Sequence, residues 1–356
     1  MATKKGRITI YDIAQELGIA PSSVSRALNK DTSISEETQQ LVWEAAVRLG
    51  YKKNILASSL KTRPIKIAVI VRATYMEFQK LLLAGARHAE ETLSDYKVSV
   101  EHVILDAENY SYTLPLKIAE CADMGYDGVI FAPTGTEIRP LIDKCISEKG
   151  IKACSFYYNT GFNNVDFSVG ADYHLSGKIA ASIMRIAGLK KGDNIVYFYS
   201  SEELGQHIEN RKSFVETCKE LGYKVHINSH YDMDNLAGTL MKKAFNEIPD
   251  IKGIYSSSAT CVPICKEIKN AKLKKKPVVV MTELLDSNIS YVKDGTIDAV
   301  IFQNPFKLGY MSVMNMYDLV SGHTDKIEGI KINPHIVLRE NLEFYAGRIT
   351  NIDPNV

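Results

Sequence analysis

Nowhere in the 356 residues does an apolar run approach the roughly 18 residues that a membrane-crossing helix needs, so no bilayer span is expected. The first residues, MATKKGRITIYD, lack the apolar stretch of a secretory leader, which points to a chain kept in the cytoplasm. Cysteine is sparse. Its six residues, at 121, 145, 154, 218, 261 and 265, show no framework spacing and suit a reducing compartment. Cys261 and Cys265 could meet on one helix, but no His or Cys stands at metal-site spacing beside them. Ordinary packing is the expectation there, and no metal or cofactor is implied. Also missing are a P-loop, a G-x-G-x-x-G, an H-E-x-x-H and a G-x-S-x-G, which removes most support for an enzyme. The C-terminal YAGRITNIDPNV carries no leucine heptads, so no tetramer-forming coiled coil is expected.

What is present is uneven in charge. The net charge of +1 hides ten Lys and Arg against six Asp and Glu in residues 1–63, and 33 against 36 in the remainder. A small basic module on a slightly acidic body fits a nucleic-acid reader joined to something else. The length suggests two or three domains, and an apolar fraction of 45% allows a sizeable core.

The basic module reads as three short helices within residues 8–51. Ile10, Ile13, Ala14 and Leu17 recur at i, i+3, i+4 and i+7, the stripe of a first helix, with Thr9 as N-cap and Asp12 in the first turn. Gly18 breaks it, and Pro21 opens a second helix whose inner face is Val24, Ala27 and Leu28. Ser22, Ser23, Ser25, Arg26 and Asn29 are left facing outward. Ser35 caps a third helix with Val42, Ala45, Ala46 and Leu49 inside and Gly50 at its end. Two helices across a tight glycine turn, braced by a third, make a helix-turn-helix, whose second helix docks in the major groove. The alternative is a solvated face on an ordinary three-helix cap.

Thr9, Asp12-Ile13-Ala14, Gly18, Val24-Ser25-Arg26, Leu28-Asn29, Ser35, Thr38, Ala45-Ala46, Leu49 and Tyr51-x-x-Asn54 resemble the signature of the LacI/GalR family of bacterial transcription regulators. The resemblance implies that Pro21, Ser22 and Arg26 read bases, and that Thr9, Ser23, Ser25 and Asn29 touch phosphates. It implies that residues 53–60, KNILASSL, form a hinge ordered over the operator centre, with Asn54, Ala57 and Leu60 at the DNA. Leu60 would wedge into the minor groove, the unstacking cost being recovered in a bent site with wider contact. A plain linker helix is the rival reading. Two departures stand out: Ala20 replaces the usual capping serine, and Lys53 the usual proline.

Beyond Pro64 short apolar runs (66–71, 127–132, 152–158, 194–199, 253–257, 277–281, 298–302) alternate with amphipathic stretches. That alternation argues for parallel sheets covered on both faces, and about 280 residues suit two lobes rather than one sheet. The expected division is 1–52 for the helix-turn-helix, 53–64 for hinge and linker, and 65–347 for a two-lobed body. The first lobe is read as about 65–160 plus 290–320, and the second as about 161–289 plus 321–347. Ligands in such sheets bind beyond the carboxyl ends of the strands, here the cleft between lobes.

The segment 293–313, KDGTIDAVIFQNPFKLGYMSV, resembles ribose- and galactose-type periplasmic binding proteins and LacI-type ligand domains. The fold so implied is the type I periplasmic-binding-protein fold, two doubly wound parallel sheets. By the same resemblance Gln303, Asp172, Arg211, Glu283, Phe78 and Thr74 fall in the effector cleft. Their chemistry suits a polyol: Asp172 and Glu283 accept, Arg211 donates, Gln303 does both, and Phe78 covers a ring face. Read singly, Asp172 could be a helix cap and Arg211 a solvated helix face. Ser258-Ala259 stands where relatives often carry Asn-Asp, and Phe156-Tyr157-Tyr158 replaces another aspartate. The cleft should therefore hold fewer carboxylates and more aromatic surface than a typical pentose site. A sugar is the leading effector, with a sugar acid, a sugar phosphate or a flat aromatic compound as alternatives. The function so implied is an effector-controlled homodimeric repressor on pseudo-palindromic operator DNA, with dimer contacts on the first-lobe helix around residues 76–95 and its neighbours. The alternative is a sugar-binding component of transport or sensing.

Overall fold

The computed structural model of the chain describes residues 8–28, 33–49, 51, 63–133, 136–157, 161–200, 205–230, 236–258 and 261–346. Two compact units divide it near Pro64.

The N-terminal unit holds α1 (Ile10–Leu17), α2 (Pro21–Leu28) and α3 (Glu36–Leu49). Its core is Ile13, Ala14, Val24, Ala27, Val42, Ala45 and Ala46, all buried, ringed by Ile10, Leu17, Ile19, Leu28, Ile34, Leu49 and Tyr51. Gly18 ends α1 with φ 65°, a left-handed turn that only glycine adopts freely. Ser35 caps α3, its Oγ accepting the Thr38 N–H at 3.3 Å. Arg48 of α3 reaches Glu16 of α1 through Nε at 3.1 Å.

The larger unit is built from β1 (Ile65–Arg72), α4 (Met76–Thr92), β2 (Val98–Leu105), α5 (Tyr110–Asp123), β3 (Gly128–Phe131), α6 (Arg139–Lys149), β4 (Lys152–Phe156) and β5 (Phe167–Ala171). There follow α7 (Tyr173–Ile186), β6 (Asn194–Tyr199), α8 (Gly205–Glu220), β7 (Lys224–Ser229), α9 (Leu236–Glu247), β8 (Ile251–Ser256), α10 (Val262–Asn270) and β9 (Val278–Thr282). Last come α11 (Asp286–Lys293), β10 (Ala299–Phe302), α12 (Pro305–Val320), β11 (Ile330–Ile332), β12 (His335–Val337) and α13 (Leu342–Ala346).

Two six-stranded sheets result, ordered β11-β5-β4-β3-β1-β2 and β12-β10-β9-β8-β6-β7. The pairings are parallel except β10 with β12. Every residue of β3 and of β10 is buried, as in strands covered on both faces. This is the doubly wound, two-sheet fold anticipated from the strand-helix alternation.

The lobes exchange chain at other points than the sequence suggests. The strand β5 lies in the first sheet, so the chain crosses after Ala171 and not near 160. The second crossing follows β10, at Gln303, because α11 and β10 belong to the second lobe, so 290 is too early. A third crossing separates β11, in the first sheet, from β12, in the second, so the first lobe extends past 320. The misplacement has a physical cause. The segment forming β5, FSVGA, is short and glycine-containing, and β11 is three residues long, so neither carries a strand signature.

Helix α12 returns to the first lobe and packs on α4 with backbones nearly touching. A Cβ on Gly85 would lie 1.9 Å from the Phe306 carbonyl oxygen, and one on Gly309 1.9 Å from that of Leu82. The second lobe repeats the device: a Cβ on Gly177 of α7 would meet Ser213 Oγ of α8 at 2.1 Å. Among the described residues no helix is long and apolar enough to cross a membrane.

Candidate functional site

In the N-terminal unit, Pro21 opens α2 and the exposed Ser22 and Arg26 stand one turn apart on one face. Ser23 and Ser25 are half-buried beside them. The Ala20 carbonyl accepts the N–H groups of Ser23 and Val24 at 2.9 and 3.1 Å, and its methyl side chain has no oxygen with which to cap the helix. Thr9 is exposed, and its N–H and Oγ both donate to Asp12 Oδ2, at 2.7 and 2.6 Å. The Thr9 hydroxyl, then its N–H, holds the Asp12 carboxyl below its usual range. Thr9 is thus engaged as a cap. Asn29, Asn54, Ala57 and Leu60 lie outside the described residues.

In the larger unit the anticipated cleft residues cluster only in part. Glu283 follows β9 with a left-handed φ of 70° and is almost fully buried. Neither of its carboxylate oxygens has a hydrogen-bond partner among the described residues. Burial pushes its carboxyl up from 4.5 to about 8, partly offset by the nearby Gln303 backbone N–H. Gln303 is buried beside it, at the second crossing. Across the cleft, Tyr157 turns out of β4 with φ 67° and faces Glu283, while Phe156 stays fully buried in the strand. The rings of Tyr157 and Phe78 lie 6.5 Å apart, and the Tyr157 hydroxyl bonds Gln79. Thr74 is half-buried four residues before Phe78, its N–H returned to the Arg72 carbonyl at 2.7 Å.

Sequence reasoning missed three of these neighbours: Gln79, Tyr173 and Tyr255. Tyr173 is buried with its hydroxyl unpaired among the described residues, and Gln79 Oε1 is likewise unpaired. The fields of Tyr157, Tyr173 and Tyr255 all include Glu283. Unpaired polar atoms buried this deeply carry a desolvation cost of roughly 1–3 kcal/mol each unless a ligand or water serves them. Tyr173 directly follows Asp172, but a tyrosine in an amphipathic helix gives no sign of facing a cleft.

Asp172 is tied up elsewhere. Its Oδ1 accepts the Leu175 N–H at 2.8 Å, capping α7, and its Oδ2 lies 3.7 Å from Lys331 Nζ. A ligand hydroxyl would share that second oxygen with the lysine. Arg211 on α8 is half-buried, its guanidinium 4.8 Å above the Tyr199 ring and Nη1 donating to the Tyr199 hydroxyl at 2.9 Å. A buried network beneath it fixes the floor: Tyr197 bonds Ser257 Oγ at 2.8 Å, and Asn210 Nδ2 donates to the Tyr255 hydroxyl at 2.9 Å. Ser258 turns inward onto Ser256. Ala259 lies outside the described residues. All six cysteines are free thiols.

The two lobes and the cleft between them define a binding-protein body. Residues 67–324 match the periplasmic binding protein domain, and residues 9–54 match the bacterial regulatory proteins of the lacI family. The chain therefore belongs to the periplasmic binding protein domain family, and its N-terminal unit is similar to the helix-turn-helix of the bacterial regulatory proteins of the lacI family. The ribose operon repressor of Lactococcus lactis subsp. lactis is 23% identical over 347 residues, 94% of this chain and 98% of that protein. The HTH-type transcriptional regulator RegA of Clostridium saccharobutylicum is 32% identical over 146 residues, spanning 40% of this chain and only 42% of RegA. GanP, a glucose-galactose binding protein from Geobacillus stearothermophilus, shares the fold with a TM-score of 0.70 at 17% identity, over 79% of this chain and 99% of its own.

Proposed function

We propose that the chain is a DNA-binding transcription regulator, a repressor of carbohydrate-utilisation genes acting in the cytoplasm and released or retained by a sugar-class effector. What carries the reading is the joining, in one chain, of an exposed Ser22/Arg26 helix face to a two-lobed cleft lined by the buried polar side chains of Glu283, Gln303, Gln79 and Tyr173. The full-length likeness to a protein named ribose operon repressor supports the same reading. Pro21, Ser22 and Arg26 read base edges; Ser23, Ser25 and, beyond its cap role, Thr9 touch phosphates; Asn29, Asn54, Ala57 and Leu60 complete the DNA contact. Phe78 and Tyr157 cover the apolar face of the effector, while Glu283, Gln303 and Arg211 take its hydroxyls, with Thr74 and Asp172 at the edge.

The cleft chemistry narrows the effector. A carboxyl buried among tyrosines and held protonated by that burial favours an uncharged ligand over a sugar acid or phosphate. Such a ligand is bound and released without turnover.

The active species is a homodimer on a pseudo-palindromic site. Helix α4 is largely occupied by α12, so its neighbours suit the dimer contact better: Ile104 on the edge strand β2 and Tyr112 and Leu116 on α5 are exposed apolar side chains. Effector binding changes the closure of the lobes, and the change reaches the DNA with a coupling of about 1–3 kcal/mol.

The test is a thermal-shift panel of neutral sugars, polyols, sugar acids and sugar phosphates, followed by DNA anisotropy with any sugar that raises the melting temperature. A neutral sugar that both stabilises the protein and changes operator affinity is the expected result. Stabilisation by anionic sugars alone contradicts the cleft chemistry, and no sequence-selective DNA binding overturns the regulator reading.

A further inference from the structure

One contact crosses the cleft at its rim. Glu77, the second residue of α4 in the first lobe, accepts the backbone N–H of Ser287, the second residue of α11 in the second lobe, through Oε2 at 3.0 Å. The first N–H groups of a helix have no acceptor within the helix, and the positive end of its dipole favours a carboxylate. Among the described residues the second lobe offers no cap of its own to Ser287. Its capping side chain, Asn288, spends Oδ1 on the N–H of Leu285 at 3.1 Å. The same Asn288 donates Nδ2 to the Glu283 carbonyl at 2.9 Å and to Cys261 Sγ at 3.3 Å. The segment from Glu283 to Asn288 is therefore braced as one piece, so the cleft carboxyl and the Ser287 N–H move together.

We infer that Glu77 is an inter-lobe positioning residue: its carboxylate caps α11 only when the lobes are closed, and so sets how much of the protein is closed before any effector arrives. The affinity for an effector then scales with that closed fraction, because a ligand that binds one conformer is weakened in proportion to the conformer's scarcity. The inference stands whichever effector the cleft takes, and it requires no ligand to test.

Amide hydrogen exchange at Ser287 reads the contact directly in the full-length protein without added ligand. In the wild type the Ser287 N–H is protected. In Glu77→Ala it exchanges at least tenfold faster, while the Ile289 N–H, bonded to the Leu285 carbonyl at 3.2 Å, keeps its rate and reports an intact helix. Glu77→Gln, a neutral acceptor, falls between. Ser287→Pro removes the donor from the other side and leaves Glu77 in place. Proline at the second helical position is already present in this chain, at Pro140 of α6 and Pro263 of α10, so the fold accepts it there. The radius of gyration from X-ray scattering rises equally in Glu77→Ala and Ser287→Pro and no further in the double variant. Identical Ser287 exchange in wild type and Glu77→Ala, or additive expansion in the double variant, overturns the inference.

Discussion

Replacing Glu283 by Gln leaves the shape of a protonated carboxyl and removes its titration. The carboxyl rises from 4.5 to about 8 on folding because burial withholds water from it. The folded protein therefore holds a proton that the unfolded chain releases above 4.5. Its advantage is intact below that value, declines as pH rises, and is spent once pH passes about 8. The decline is at most about 1.4 kcal/mol per pH unit, and the whole gap corresponds to about 5 kcal/mol. Between pH 6 and pH 9 the wild type should lose about 3 kcal/mol through this group alone, and Glu283→Gln none of it. Other groups titrate in both proteins, so the informative quantity is the difference between them. Guanidinium unfolding at pH 6, 7, 8 and 9 should show Glu283→Gln gaining on the wild type by that amount. Melting temperatures should diverge by about 5 °C or more over the same range. A difference constant from pH 6 to pH 9 would refute the claim that the folded cleft holds a protonated carboxyl.

Arg26→Ala should abolish preference for the operator while keeping most salt-dependent binding to random DNA, measured by anisotropy on both; equal losses on the two would remove Arg26 from base reading. Arg211→Ala should weaken effector binding by about tenfold or more, a charged hydrogen bond being worth about 1.5–3 kcal/mol, with operator affinity in the absence of effector unchanged; calorimetry with the sugar found in the panel decides it. Gly85→Ala should destabilise the protein by about 3 kcal/mol, the upper end of overpacking costs, because the neighbour at 1.9 Å is a backbone carbonyl. An unchanged denaturation midpoint would mean that α4 and α12 are less closely apposed than described.

Much of the architecture is legible in the sequence because its central strands are buried on both faces and read as apolar runs: 194–199 coincides with β6, and 66–71 lies within β1. The edge strands escape. In β2, VSVEHVIL, and β7, KVHINS, exposed and half-buried positions interleave, so neither forms an apolar run. In the N-terminal unit the periodicity sufficed, since one stripe per helix makes the core and Gly18 fixes the turn. The cleft is harder. Motif register singles out Glu283, Gln303 and Phe78, but whether a side chain is free depends on contacts that register does not encode. Asp172 spends its oxygens on Leu175 and Lys331, and Tyr173 and Gln79 reach the cleft without any motif to mark them.

The return of α12 to the first lobe also dictates an order of assembly. Helix α4, at Met76–Thr92, cannot find its partner until residues 305–320 exist, and β11 closes the same sheet later still. The three-helix unit needs only local contacts and can form as soon as residue 51 has emerged. During synthesis the N-terminal unit is thus complete while β1 and α4 still expose their apolar faces to the cell, a long interval for a lobe of such high contact order. Truncation before residue 332 would leave the N-terminal unit tethered to an unfinished sheet, and aggregation of such fragments is the failure this topology invites.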